Sequence, residues 1–453
     1  MNRKKTTISG AICFLILAIH LGCDIHTRRS ETATADYSQF AELPGIRASH
    51  HAGLQAELSR IIDERGTPKL LMEYRGAAPG VKSVLRPRIT DDQNAATEFV
   101  RLFDKIERKD LQQRFERFFP NERFEINSTT FIPPVLTQVQ NLLKQYQSQL
   151  AKFRAAVARP GCDFHWQYTQ GMMASTAAVD NLRTAIRLEL LSLGVALADE
   201  RPTNILESLT TVFRGLSFLA DESHLIPRQE AARGRIEAWR AVQGVVDHPA
   251  TNLELQRRIY ELVLAQLESW PPDASAWVGE RAEALHTYEL VRNGELLSIL
   301  DPADIKALRD SSQFKQKLAD IRQGLDDDEQ YYLATVRQLI ELCRRPYSER
   351  LADFSTIRAD MAERSNNTQY PYVANRVLLK DFEAAQELQA KDRALCEAWA
   401  IALALAIDEP PLEFRMNPLT GAPYQMIKQK ERAVVAGVLP LGEDQPLVVP
   451  IRK

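Results

Sequence analysis

Between Val135 and Val157 apolar side chains recur at steps of three and four: Val135, Val139, Leu142, Tyr146, Leu150, Phe153 and Val157. An α-helix turns once in about 3.6 residues, so this spacing draws one continuous apolar stripe down about six turns. Such a stripe commits the chain to a fold in which long helices bury one face. Pro133-Pro134 opens the segment and Arg159-Pro160 closes it, because proline disfavours helix in the residue before it. A long helix packed on neighbours in its own chain is a commoner origin for the pattern than a coiled-coil seam.

The same periodicity returns along the chain. Leu182, Ile186, Leu190, Leu193 and Leu197 make a second stripe, and Asn204 to Leu219 carries a third. Thr251 with Glu254 reads as a capping box ahead of Leu255, Ile259, Leu262 and Leu267. Thr90 with Gln93 reads as another, opening the helical body. The acidic run Asp326-Asp327-Asp328-Glu329 opens a helix reaching Cys343 and suits the positive end of its dipole. The run lacks the alternating ligands and glycine of a calcium loop. The last long helix spans about Lys380 to Ile407. Its end, from Ala398, holds only Ala, Trp, Ile and Leu. About ten apolar residues fall short of a bilayer, so this end belongs in a core.

Beyond Glu409 the character changes. Pro410-Pro411 breaks the helix, and Asn417 to Pro423 is dense in turn residues. Tyr424–Lys428, Ala433–Leu439 and Leu447–Ile451 read as strands. The predicted fold is mainly α: stacked antiparallel helices, an α-hairpin array, with a small C-terminal β appendage. The expected division is a helix plus loop-rich segment over 49–89, a helical domain over 90–409 and a turn-rich β-like segment over 410–453. In the first, a helix from Ser49 to Arg65 puts Leu54, Leu58, Ile61 and Ile62 on one face.

The start has the three parts of an export signal. Arg3-Lys4-Lys5 is the basic region and Gly10 to Ile19 the apolar run, too short to span a membrane. Two cleavage sites compete. Leu21-Gly22-Cys23 resembles the end of a bacterial lipobox, with His20 where an apolar residue is usual. Ala33-Thr34-Ala35 is an ordinary secretory site, but it lies beyond Asp24, Arg28 and Arg29, far from the apolar run. The lipobox reading makes 1–22 a signal peptide, Cys23 a lipid-attachment residue and 23–48 a tether. The expected place is then the cell envelope, with the membrane as partner through the N-terminal lipid and a protein partner possible there. The formal net charge of -3 becomes more acidic once Arg3, Lys4 and Lys5 are removed. That leaves no electrostatic footprint for nucleic acid.

Two stretches resemble a set of uncharacterised helical envelope proteins of planctomycete-type bacteria. One is Cys162, Trp166 and Gly171 ahead of an amphipathic helix carrying Leu182-Arg183 and Arg187-Leu188. The other is Asn417-Pro418-Leu419-Thr420-Gly421-Ala422-Pro423, similar to a D-P-F-[ST]-G-x-P turn, with Asn417 in place of the usual Asp. The resemblance covers about residues 160–430. It implies a helical fold and an envelope setting, and it implies no activity and no site residues.

Phosphate-loop, dinucleotide, zincin and nucleophile-elbow motifs are missing from the sequence. No cofactor is expected, and the balance leans away from an enzyme. Asp221, Glu222 and His224 form the first constellation that can hold chemistry, although an inter-helix turn before Pro227 is the simpler reading. Asp163 and His165, beside Cys162 and Trp166, form the second, and a structural cluster anchoring a helix hairpin is the simpler reading there. His50-His51 points to two different helix faces. After processing, Cys162, Cys343 and Cys396 allow at most one disulfide, and buried free thiols fit Cys343 and Cys396 equally well. A helical scaffold or interaction module leads. An envelope hydrolase with carboxylates brought together between helices is the alternative.

Overall fold

The computed structural model describes residues 51–66, 89–104, 106, 113, 118, 133–367, 371–411, 414, 416–439 and 446–452. The export signal, Cys23, the tether, Ser49, His50 and most of the loop-rich segment lie outside the described residues.

Helix α1 is Ala52–Gly66. The ring of His51 caps it, its Nδ1 accepting from the Leu54 N–H at 3.1 Å. Leu54 and Ile61 are buried, as the stripe predicts. The helix expected from Thr90 is not formed. Turns run from residue 91, and only α2, Ala96–Phe99, is helical there. The cause is a tertiary contact. The Asn94 amide donates to the Asp163 carbonyl at 2.8 Å, and the Asp163 N–H donates back to Asn94 Oδ1 at 2.9 Å. Asn94 also bridges Gly161 in parallel, so its backbone is held extended.

The long stripe forms two helices, α3 (Pro133–Gln145) and α4 (Gln147–Val157). Tyr146 separates them at φ -103° and ψ 17°, with its ring driven into the core. The N–H groups of Tyr146 and Leu150 still bond four residues back, so the apolar stripe stays on one face. Then come α5 (Ala177–Ala198), α6 (Pro202–Asp221), α7 (Leu225–Asp247) and α8 (Leu253–Glu268). Short turns join them, and α5 packs along α6 and α6 along α7. The cap of α8 is Asn252, whose side chain accepts from the Leu255 N–H at 2.9 Å, in place of the expected Thr251. Thr251 is committed elsewhere, its hydroxyl donating to the Val245 carbonyl at the end of α7.

Helix α9 (Asp273–Arg292) starts a second group: α10 (Leu296–Ile299), α11 (Pro302–Arg309), α12 (Phe314–Gln323), α13 (Leu325–Leu342) and α14 (Tyr347–Asn367). Helix α15, Phe382–Ala406, ties the two groups together. Phe382, Ala385, Ala390 and Ala394 pack into the core of α1, α9 and α13, and Cys396 onward packs into the core of α4 to α8. The segment Ala398 to Ile407 is buried apart from Leu405, as expected of a core helix end. Cys162, Cys343 and Cys396 are free thiols.

The C-terminal strands are β1 (Gln425–Lys428), β2 (Arg432–Ala436) and β3 (Leu447–Pro450), an antiparallel meander packed on α15. Asn417 organises the turn ahead of it. Its Oδ1 accepts from the Leu419 N–H at 2.8 Å, and its Nδ2 donates to the carbonyls of Gly437 and Val438. An aspartate has no hydrogen to give those carbonyls.

Candidate functional site

A polar seam runs between the two cores, and His224 stands at its centre. Helix α6 ends at Asp221, the chain goes extended through Glu222, and His224 caps α7. Its Nδ1 accepts the Ile226 N–H at 3.2 Å. That leaves Nε2 facing α9, 3.0 Å from Glu283 Oε2 and 3.5 Å from Glu280 Oε2. Trp166 stacks on the imidazole with 4.2 Å between ring centroids, and its indole N–H donates to Glu283 at 2.7 Å. The Tyr168 hydroxyl donates to the Ser223 carbonyl. Helix α9 comes this close only because residue 279 is glycine: a Cβ there would lie 1.5 Å from the Ser223 oxygen.

The two constellations read from sequence thus meet, through Trp166 and His224. Their other members diverge. Asp163 and His165 turn toward Asn94: the His165 N–H donates to Asp163 Oδ1, and His165 Nε2 lies 3.2 Å from the Asn94 amide. The His165 backbone has φ 49°, and its ring is mostly exposed. Asp221 is half-buried at the end of α6, and Glu222 is buried. Glu280 and Glu283 escape a reading by sequence neighbourhood, lying some distance beyond His224. Their signal is two carboxylates three residues apart on a helix whose Ala276, Trp277, Ala284 and Tyr288 are apolar and buried.

Burial opposes charge on His224, but the carboxylates of Glu283, Glu280 and Glu222 outweigh it and hold the imidazole pKa above its ordinary value. Burial pushes Glu280 up to about 7, against the pull of His224 and with Glu283 adding to the rise. His224 has no exposed surface, while the Glu280 side chain beside it keeps 14% of its own. Among the described residues, no three His, Cys, Asp or Glu side chains are placed to hold a metal ion.

The seam continues along α7 and α15. Arg235 pairs with Asp392 at 2.5 Å, both buried, and lies over the Trp270 ring at 4.6 Å. Arg228 donates to the carbonyls of Pro271 and Pro272 and to the Ser275 hydroxyl. Arg350 joins Gln386 to Asp273. Burial raises Asp392 to about 6, with Arg235 opposing the rise. These bonds fasten α7, α9, α14 and α15 to one another. The acidic run of α13 also does more than compensate a dipole: Asp328 and Glu329 are buried, and Glu329 pairs with Arg292.

An open site lies elsewhere. A cleft of about 630 Å³ opens between α4, α5 and α6, lined among others by Arg154, Ser192, Arg201, Asn204 and Thr211. The buried carboxylate of Glu189 holds the Arg154 guanidinium by two bonds of 2.9 Å, and the Ser208 hydroxyl donates to Glu189 at 2.7 Å. Arg154 is half-exposed, so its fork is a fixed cation on the cleft wall. Asp199 and Glu207 share the lining, so the cleft offers donors and acceptors together, which suits an amide-bearing group. Comparison with family models, with curated proteins and with solved structures gives no match to this chain.

Proposed function

We propose that the chain is an exported cell-envelope protein, anchored to a membrane by a lipid on Cys23, whose helical body is a scaffold or interaction module that binds a partner in the α4–α6 cleft. The sealing of His224 carries this reading. The imidazole of the His224, Glu280 and Glu283 cluster stands at zero exposure between the two cores. Buried there, it fastens elements together, while the accessible cleft carries Arg154 and Arg201, each held by a carboxylate, Glu189 and Asp199. The basic and apolar regions of the N-terminus, the Gly22-Cys23 junction and the resemblance to helical envelope proteins support the setting.

Two measurements test it. Intact mass of the purified protein, with and without Cys23→Ala, should show acyl mass on the wild type alone; a chain beginning at Asp36 without it overturns the anchor. A photo-crosslinking residue at the exposed Asn204 of the full chain, in intact envelopes, should give a discrete adduct that the same residue at Lys306 does not. No adduct, or the same one from both positions, overturns the cleft as the binding face.

A carboxylate-based envelope hydrolase is the second reading. Glu280, held near 7 beside His224 and Glu283, favours it. Turnover of any ester or glycoside that disappears in Glu280→Gln, with the fold intact by circular dichroism, would put this reading first.

A further inference from the structure

The two edges of the C-terminal sheet are treated differently. In an antiparallel ladder, residues alternate between bonding their neighbour and pointing their N–H and C=O away. The Ile451 N–H bonds the Glu431 carbonyl, so Val449 and Leu447 bond β2, and Val448 and Pro450 point outward. That outer edge is closed. Gln243 donates to the Val448 carbonyl at 2.8 Å, Gln256 donates to the Pro450 carbonyl at 2.7 Å, and proline has no N–H to offer.

The β1 edge is open. The Gln429 N–H bonds the Arg432 carbonyl, so Ile427 and Gln425 bond β2, and Met426 and Lys428 point their backbone groups away. Those groups have no partner among the described residues. Every residue from Gln425 to Arg432 is exposed, so the hairpin projects from the body with Met426 and Ile427 on its two faces. An open strand edge with apolar side chains is a template for another strand.

We propose that this edge pairs with the same edge of a second copy, β1 against β1 antiparallel about a two-fold axis at Ile427. The parity fits. Met426 faces Lys428 of the partner subunit as a hydrogen-bonded pair, twice by symmetry, giving four backbone bonds. Ile427 faces its own copy as a non-bonded pair, where side chains are closest. Gln425 then faces Gln429 of the partner subunit, so no like charges meet. Each Lys428 ammonium is held by Asp408 of its own chain. A dimer of this kind is one six-stranded sheet. Four residues a side bury far less than the roughly 1,600 Å² of a stable interface, so the pairing is weak and needs a high local concentration.

The test is disulfide trapping in the full chain, in envelopes under mild oxidation. Facing Cα atoms of a non-bonded pair lie about 4.5 Å apart, within disulfide reach. Ile427→Cys is expected to give a band at twice the chain mass, absent from the wild type, which controls for the native cysteines. Met426→Cys and Lys428→Cys alone are expected to give none, because their copies stand two residues out of register, and the double variant is expected to give one. Adding Met426→Pro to Ile427→Cys removes an outward N–H and is expected to abolish the band without changing the thermal melt. No band from Ile427→Cys, an equal band from Met426→Cys, or a product joined to a different protein overturns the proposal.

Discussion

Tyr288 donates its phenolic hydrogen to the carboxylate of Asp328 at 2.7 Å, and both residues are fully buried. The same carboxylate accepts from the N–H of Ala374 at 2.8 Å and from the N–H of Val373 at 2.8 Å. One side chain on α13 thus satisfies α9 and the start of the wide π-helical turn Ala374–Leu378. Burial pushes its pKa up, against the Tyr288 hydroxyl and the two N–H groups, which favour the charged form. Asp328→Ala orphans three donors at once. We expect a loss of about 3–5 kcal/mol, against about 1 kcal/mol for Tyr288→Phe. Urea denaturation of both variants checks the ratio, and equal losses would refute this account of Asp328.

The pH dependence of stability has a definite sign. Glu280 and Glu329 are both raised from 4.5 to about 7 and Asp392 from 3.8 to about 6, each chiefly by burial. An acid with a raised folded pKa binds its proton more tightly when folded. Its contribution is present below the unfolded pKa and is lost as pH rises through the folded one. His224, also raised, loses its contribution as pH climbs past 6.5. All four act in one direction, so thermal melts should fall steadily from about pH 5 to about pH 8. Glu280→Gln should flatten that slope. A melting temperature that rises over the same window contradicts the assignment.

These two clusters also mark how far the sequence can be read. The stripes of α5, α6 and α15 are local, because residues three and four apart decide which face is buried, and those helices stand as their spacing predicts. The helix expected at Thr90 is lost to a bond with Asp163, 69 residues away. Glu280 and Glu283 meet His224 across separate helices, and Arg235 finds Asp392 157 residues on. Pairings of that range leave no period to detect. They show locally only as charges on an otherwise apolar helix face.

Gly279 should tolerate no side chain. Its place is set by the Ser223 carbonyl, which a Cβ would meet at 1.5 Å, and backbone cannot swing aside as a side-chain tip can. Gly279→Ala must push α9 away from the turn that holds His224. We expect a loss at or above the upper end of the overpacking range, about 3 kcal/mol. The Trp166 stack should loosen with it, so tryptophan fluorescence should shift before global unfolding. An alanine variant with wild-type stability and an unchanged spectrum would mean the approach is looser than the geometry requires.

Arg235 and Asp392 give the last prediction, because a buried ion pair responds differently to losing one member and losing both. Both side chains are nearly inaccessible, at 2% and 3% exposure. Asp392→Ala leaves a guanidinium in the core with only the Trp270 ring to face, and Arg235→Met leaves an unpaired carboxylate. Each should cost about 3–5 kcal/mol. Combining the two, Arg235→Met with Asp392→Ala, removes both desolvation costs along with the attraction, so the double variant should lose less than the two single losses added together. The Asp392→Ala variant should also lose the part of the pH slope that Asp392 supplies between about 4 and about 6. Denaturant midpoints at two pH values separate the contributions. Strict additivity of the two single losses would show that the pair is not coupled.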